Sequence, residues 1–194
     1  MTRYVSFLRA INVGTANRVK MADLEAMMVE AGCADVSWYL QSGNLLFTAP
    51  SSARQEALAK RIEATLAGHG LKRADAMVRT PADLERLVQR QPFAGVDPEA
   101  YFHSVSFLRS PPTATPVDRL TRERAEVVYL DDSVACLAVP RVSKLTGGAS
   151  TVIDKAWGTT STTRWWNVVE EMTRRALMRD HSTRCARSGA HSPH

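Results

Sequence analysis

The chain has 194 residues, 44% of them apolar, with 25 Lys and Arg against 20 Asp and Glu for a formal charge of +5. That length admits one medium domain or two small ones, and the composition excludes disordered, collagen-like and membrane classes, since no apolar run approaches the roughly 20 residues needed to span a bilayer. Met1-Thr2-Arg3-Tyr4-Val5 enters a strand-like pattern at once rather than building a signal peptide, so a cytoplasmic location is expected.

Tyr4 to Leu8 reads as the first strand, and the Ala10–Asn17 segment after it as a loop in which Gly14 permits unusual backbone dihedrals. Leu24, Met27, Met28 and Ala31 recur at helical spacing and predict a helix from about Met21 to Ala31, with Gly32 near its exit. Val36–Leu40 and Leu45–Thr48 flank Gln41-Ser42-Gly43-Asn44 and predict a hairpin. Leu58, Ile62 and Leu66 line a second helix that ends near Gly68 or Gly70, and Leu71–Arg79 supplies a further strand. The resulting order, βαββαβ, is that of a ferredoxin-like sheet with helices on one face.

Thr80-Pro81-Ala82-Asp83 is a helix start: Thr80 caps an amide, Pro81 tolerates the first helical position, and Asp83 favours the positive end. After the breakers Pro92, Gly95 and Pro98, the pentapeptide Val5-Ser6-Phe7-Leu8-Arg9 recurs as Val105-Ser106-Phe107-Leu108-Arg109, a shift of 100 positions. A short helix is expected around Asp118–Glu123, and Ala125–Leu130 and Val134–Val139 form a second hairpin around Asp131-Asp132-Ser133. Arg141–Thr160 is less regular, with Gly147-Gly148 marking flexibility or close backbone approach, and a last helix is expected over Thr163–Met178. The fold class is therefore α+β: duplicated ferredoxin-like βαββαβ halves with antiparallel sheets and packed helices. The expected division is a first half over 1–80, a second half with the C-terminal helix over 81–180, and a disordered tail over 181–194. Such a duplication creates a seam, and binding sites favour seams.

Three widely spaced cysteines, Cys33, Cys136 and Cys185, give neither a disulfide framework nor a metal-binding pair, so no metal and no cofactor is expected. Arg9, Asn12, Gly14, Asn17, Arg18 and Lys20 form the leading polar cluster, with cationic groups and backbone amides suited to carboxylate or phosphate. Asn12-x-Gly14 is also an ordinary turn composition, and its glycine matches no Walker or dinucleotide fingerprint. Tyr39, Gln41, Ser42 and Asn44 are a second polar concentration, near a hairpin tip, where they either meet a ligand or satisfy the turn. Lys144, Arg164 and Asn167 would complete a seam with these, Arg164 holding a planar anion and Trp165 or Trp166 stacking on an aromatic ring or simply packing a corner. No adjacent base turns a serine here into a nucleophile, so catalytic residues are left unassigned.

Phe7-Leu8-Arg9-Ala10-Ile11-Asn12-Val13-Gly14, Tyr39-Leu40-Gln41-Ser42-Gly43-Asn44-Leu45-Leu46-Phe47 and Thr162-Thr163-Arg164-Trp165-Trp166-Asn167 together resemble the domain-of-unknown-function 1697 family. The resemblance runs from about Tyr4 to Met178; the family pattern usually has glycine where this chain has Ala10 and asparagine where it has Trp165. It implies a duplicated ferredoxin-like architecture and supplies no reaction. The functional expectation is a protein that binds an anionic small ligand or partner at the seam. The alternatives are an enzyme on a small phosphorylated or carboxylated substrate, and a structural or regulatory homodimer module. Nucleic acid is only weakly supported as a partner by the charge pattern, and a membrane is not expected.

Overall fold

The structure, a computed structural model, describes residues 1–13, 17–113, 125–143 and 149–185. Its elements in chain order are β1 (Thr2–Leu8), α1 (Met21–Glu30), β2 (Ala34–Tyr39), β3 (Asn44–Ala49), α2 (Gln55–Gly68), β4 (Ala76–Arg79), α3 (Pro81–Gln89), β5 (Tyr101–Leu108), β6 (Glu126–Leu130), β7 (Val134–Pro140), α4 (Ala149–Trp157), β8 (Ser161–Trp165) and α5 (Trp166–Cys185). They build two four-stranded sheets, β2-β3-β1-β4 and β6-β7-β5-β8, antiparallel throughout. The two orders are one topology written twice, and the fold is a duplicated ferredoxin-like α+β fold. The pentapeptide repeat occupies the same place in each sheet: Val5 faces Leu46 and Arg79, while Val105 faces Cys136 and Arg164.

Strand alternation sends Tyr4 and Leu8 to one face of β1 and Val5 and Phe7 to the other. Tyr4, Leu8, Leu45, Phe47, Ala76 and Val78 pack under α1 and α2, against Leu24, Met28, Leu58 and Ile62. Val5, Phe7, Leu46 and Met77 face the second sheet's Val105, Phe107, Val134 and Cys136, with Leu84 and Leu87 of α3 and Val169 and Met172 of α5 closing the same cluster. On the outer face of the second sheet, Leu108, Leu137 and Val139 pack with Ile153 and Trp157 of α4. Both faces of each sheet are therefore covered: α1 and α2 share one face of the first sheet, as its βαββαβ order implies, and the other half covers the opposite face. The reason is in the strands: β1 and β5 each bury five successive residues and leave no polar face for water.

Thr80 caps α3 as expected; its hydroxyl accepts from the Asp83 amide at 3.1 Å and the Asp83 carboxylate accepts from the Thr80 amide at 2.9 Å. Four features differ from the sequence reading. Regular pairing begins only at Ala76, not Leu71, because Arg73 lies at φ 60. Thr163–Trp165 belong to β8 rather than to the last helix, since Thr163 and Trp165 pair with Ser106 and Ser104. Arg141–Thr160 contains a nine-residue helix, α4. The last helix runs on to Cys185, past Met178. The expected helix at Asp118–Glu123 and the pair Gly147-Gly148 lie outside the described residues.

No helix among the described residues is long and apolar enough to cross a membrane.

Candidate functional site

Two arginines in equivalent places hold the halves together. Arg164 on β8 reaches across to the first half: its Nη2 donates to the Leu8 carbonyl at 2.6 Å and the Ser42 carbonyl at 2.9 Å, and its Nε to Asn44 Oδ1 at 2.5 Å. Nη1 donates to Thr162 Oγ1 and the Thr163 carbonyl, both at 2.8 Å, so every N–H of the guanidinium has a partner. Arg79 on β4 does the converse, with Nη2 donating to the carbonyls of Leu108 and Ser133, each at 2.8 Å, and Nη1 to that of Val78. Each guanidinium also lies over the other half's repeat phenylalanine, Arg164 over Phe7 at 5.7 Å and Arg79 over Phe107 at 5.6 Å. Part of the Arg164 side chain stays open to a cavity, yet its charge is far enough from water that burial pushes its pKa down to about 10. It remains a cation at neutral pH, compensated by carbonyl dipoles.

A second reciprocal pair follows from the repeat's last residue. Arg9 of the first half forms an ion pair with Asp154 of α4, and Arg109 of the second half forms one with Glu63 of α2. Both carboxylates also serve their own half, Asp154 accepting from Ser161 Oγ at 2.8 Å and Glu63 from the Ala76 amide at 2.7 Å. Burial pushes the Glu63 carboxyl above its ordinary value, against the pull of the Ala76 amide and Arg109.

Around these clamps lie two unequal cavities. The larger, about 490 Å³, is lined by Leu8, Arg9, Ala10, Val13, Leu40 and Ser42 from the first half and by Ser104, Val139, Ser150, Thr151, Thr162, Thr163, Arg164, Trp165 and Val168 from the second. Its hydroxyl wall is organised: Thr163 Oγ1 lies 2.8 Å from Ser106 Oγ and 2.9 Å from Ser150 Oγ, and Ser150 and Thr151 sit in the first turn of α4. Its counterpart around Arg79 holds only about 150 Å³. There Arg90 lies over the Tyr129 ring at 4.7 Å and the Tyr129 hydroxyl donates to Asp131 at 2.7 Å, filling the space.

The residues expected to form one patch are distributed over three places. Arg9, Ser42 and Arg164 line the seam cavity, and Asn44, buried, joins them through Arg164. Asn12, Arg18, Lys20 and Gln41 line a separate open groove of the first half beside Trp38 and His69, which Ser42 also borders. Asn167 lies in a third depression, near Trp166. Tyr39 carries the Arg175 guanidinium over its ring at 4.5 Å and packs at the sheet interface. Asn12 serves the loop: its side chain donates to the carbonyls of Val19 and Gln41 and accepts from the Val19 amide, which is the turn reading of the Asn12-x-Gly14 motif. Likewise Asn44 donates to the Tyr39 carbonyl and to Ser42 Oγ. Gly14 and Lys144 lie outside the described residues. A convergence of Arg9, Arg18 and Arg164 is therefore replaced by one of Arg9 and Arg164 alone.

Sequence reasoning missed Asp154 and the Ser104, Ser150 and Thr163 hydroxyl wall. Asp154 is 145 residues from Arg9, and only the three-dimensional placement of α4 against the first half makes it a partner. Among the described residues no group of three or more His, Cys, Asp or Glu is placed to hold a metal. His69 pairs with Glu30 at 2.8 Å on the surface, and His103 stacks on Phe93, centroids 4.5 Å apart.

The class defined by this arrangement is a duplicated ferredoxin-like protein with a cationic, hydroxyl-lined cavity at the seam. The chain belongs to the family described as Protein of unknown function (DUF1697), which matches residues 1–135. Its fold is that of the conserved bacterial protein SP0830 from Streptococcus pneumoniae: 22% of residues are identical, 91% of this chain and 99% of that one are covered, and the TM-score is 0.63. No curated protein matches the chain.

Proposed function

We propose that the seam cavity binds a small organic anion, a carboxylate or phosphate carried on an apolar body. The observation that supports this most is Arg9, its side chain 25% exposed at the wall of the cavity and paired with a single carboxylate from the far half. The Arg164 charge, offset by carbonyls rather than by an acid, adds to the positive potential of the same wall. The Ser150 and Thr151 turn presents hydroxyls and a helix N-terminus to an incoming anion. Val13, Leu40, Val139, Trp165 and Val168 would receive the apolar body, and a volume of about 490 Å³ suits a small molecule.

Binding is favoured over catalysis by the company the hydroxyls keep. Thr163 and Ser150 are bonded to one another, Thr162 accepts from Arg164, and no histidine, cysteine or glutamate stands in the described lining.

Calorimetric titration with phenyl phosphate and benzoate, against neutral benzyl alcohol, tests the reading. The anions bind, benzyl alcohol does not, and Arg9→Ala loses the binding. Asp154→Asn tightens it, because the carboxylate that competes for Arg9 is gone. Equal binding of the alcohol, or anion binding unchanged in Arg9→Ala, would overturn the proposal.

A further inference from the structure

Trp165 is the wall between two cavities. One side belongs to the seam cavity that also contains Arg9; the other belongs to a depression of about 400 Å³ lined by Tyr101, Phe102, His103, Arg141, Trp166 and Asn167. The indole is 38% exposed, enough to offer a ring face, and it is held from behind by Phe102, centroids 5.1 Å apart. Phe102 in turn lies under the Arg141 guanidinium at 4.4 Å, whose Nε and Nη2 are anchored on the Pro98 carbonyl. An exposed indole braced in this way loses little side-chain freedom when a second ring stacks on it.

One polar side chain of the depression says what kind of ring fits. The exposed Asn167 amide stands in the first turn of α5 and lines the same depression as Trp165. A purely hydrocarbon ring would give this amide no partner; a heterocycle with donors and acceptors on its edge would pair with it.

Resting on the anion-binding reading above, we propose that the two cavities are one site for a nucleoside monophosphate. The phosphate sits at Arg9 and the α4 hydroxyls, and the base stacks on Trp165 with its edge toward Asn167. The apolar body of the ligand is thereby identified as a sugar and a planar base rather than an aliphatic chain. Stacking on a braced ring tolerates any base, so purine and pyrimidine nucleotides both enter, the larger ring gaining more.

Titration of the full chain with AMP, UMP and ribose 5-phosphate tests this, using wild type, Arg9→Ala, Trp165→Ala and Trp165→Phe. AMP is expected to bind wild type about tenfold or more tightly than ribose 5-phosphate, the increment that stacking of one base supplies. Trp165→Ala erases that preference and leaves ribose 5-phosphate bound as before, while Trp165→Phe, which retains a ring, restores most of it. Arg9→Ala weakens all three ligands together. If ribose 5-phosphate binds through Arg9 but AMP binds no better, or if Trp165→Ala keeps the AMP preference, the nucleotide assignment fails and the anion pocket stands. If none of the three binds in a way that depends on Arg9, both fail.

Discussion

Phe7 and Phe107, the same residue in the two copies of the pentapeptide, stack on one another across the seam, with centroids 4.1 Å apart and ring planes within 8°. Each ring also carries the guanidinium that its partner half sends over, so four aromatic and cationic planes meet at the pseudo-symmetry axis. The relationship explains why the repeat conserves its apolar letters within this one chain: both copies occupy the two sides of one contact. Replacing either ring by alanine should cost about 3–5 kcal/mol, the range for a fully buried phenylalanine. The double variant should cost less than the sum, by roughly 0.5–1.5 kcal/mol, because each single change already removes the ring pair. Urea midpoints of the four proteins measure both quantities; strict additivity would mean the rings pack independently.

Arg164 and Arg79 should behave as structural clamps that lysine cannot replace. A lysine offers three donors from one point, whereas Arg164 serves Leu8, Ser42, Asn44, Thr162 and Thr163 from a planar fork. Arg164→Lys leaves at least two of these acceptors unpaired and is expected to cost about 2–4 kcal/mol. Arg79→Lys, where the partners are the carbonyls of Val78, Leu108 and Ser133, should cost less. Chemical denaturation of both variants checks the order, and a neutral effect at Arg164 would show that the crossing bonds do not hold the halves.

How much of this was legible in the chain follows from the range of each interaction. The pentapeptide repeat, the hairpin turns and the Thr80 cap are local, and periods and turn residues revealed them. Thr163-Arg164-Trp165 has no alternation of its own and by itself points to the start of a helix; pairing with β5, more than fifty residues earlier, makes it a strand. Charge and motif single out Arg9 and Arg164 in the sequence, but nothing near them in sequence indicates that Arg164 spends its donors on carbonyls of the other half. Arg18 and Arg9 are nine positions apart and point into different cavities, since the loop that Asn12 ties to Val19 and Gln41 turns between them. Proximity in the chain suggested a cluster that the turn geometry divides.

Two backbone positions beside the seam should respond to substitution in opposite directions. Ala10 lies at φ 56, a left-handed conformation in which its Cβ is strained, and Ala10→Gly should stabilise the protein by about 1 kcal/mol after the extra unfolded-state freedom of glycine is deducted. Gly43 lies at φ 77, and a Cβ there would sit 2.8 Å from Leu8 Cβ and 3.2 Å from the Leu8 carbonyl oxygen that accepts from Arg164. Gly43→Ala is therefore expected to cost about 2 kcal/mol or more and to loosen the Arg164 clamp with it. Thermal unfolding of the two variants reads the signs directly; stabilisation by Gly43→Ala would contradict the close approach of the hairpin to β1.

The pH dependence of stability should carry the signature of Asp83. Burial pushes its carboxyl up, but the Thr80 amide and hydroxyl, the Gln55 amide at 2.6 Å and Arg86 pull harder, and the group ends below its ordinary value of 3.8. A folded pKa lower than the unfolded one means that the unfolded chain takes up the proton first as acid is added. The carboxylate therefore contributes its full stabilisation above about pH 4, and that contribution is lost as the pH falls below 3.8 through the lower folded value. Asp83→Asn should be less stable than wild type at neutral pH, with the two stabilities converging as the pH falls through the lowered folded pKa. Urea unfolding at a series of pH values gives the difference curve. A gap that stays constant across the acid range would mean that Asp83 acts only through its shape and hydrogen bonds, not through its charge.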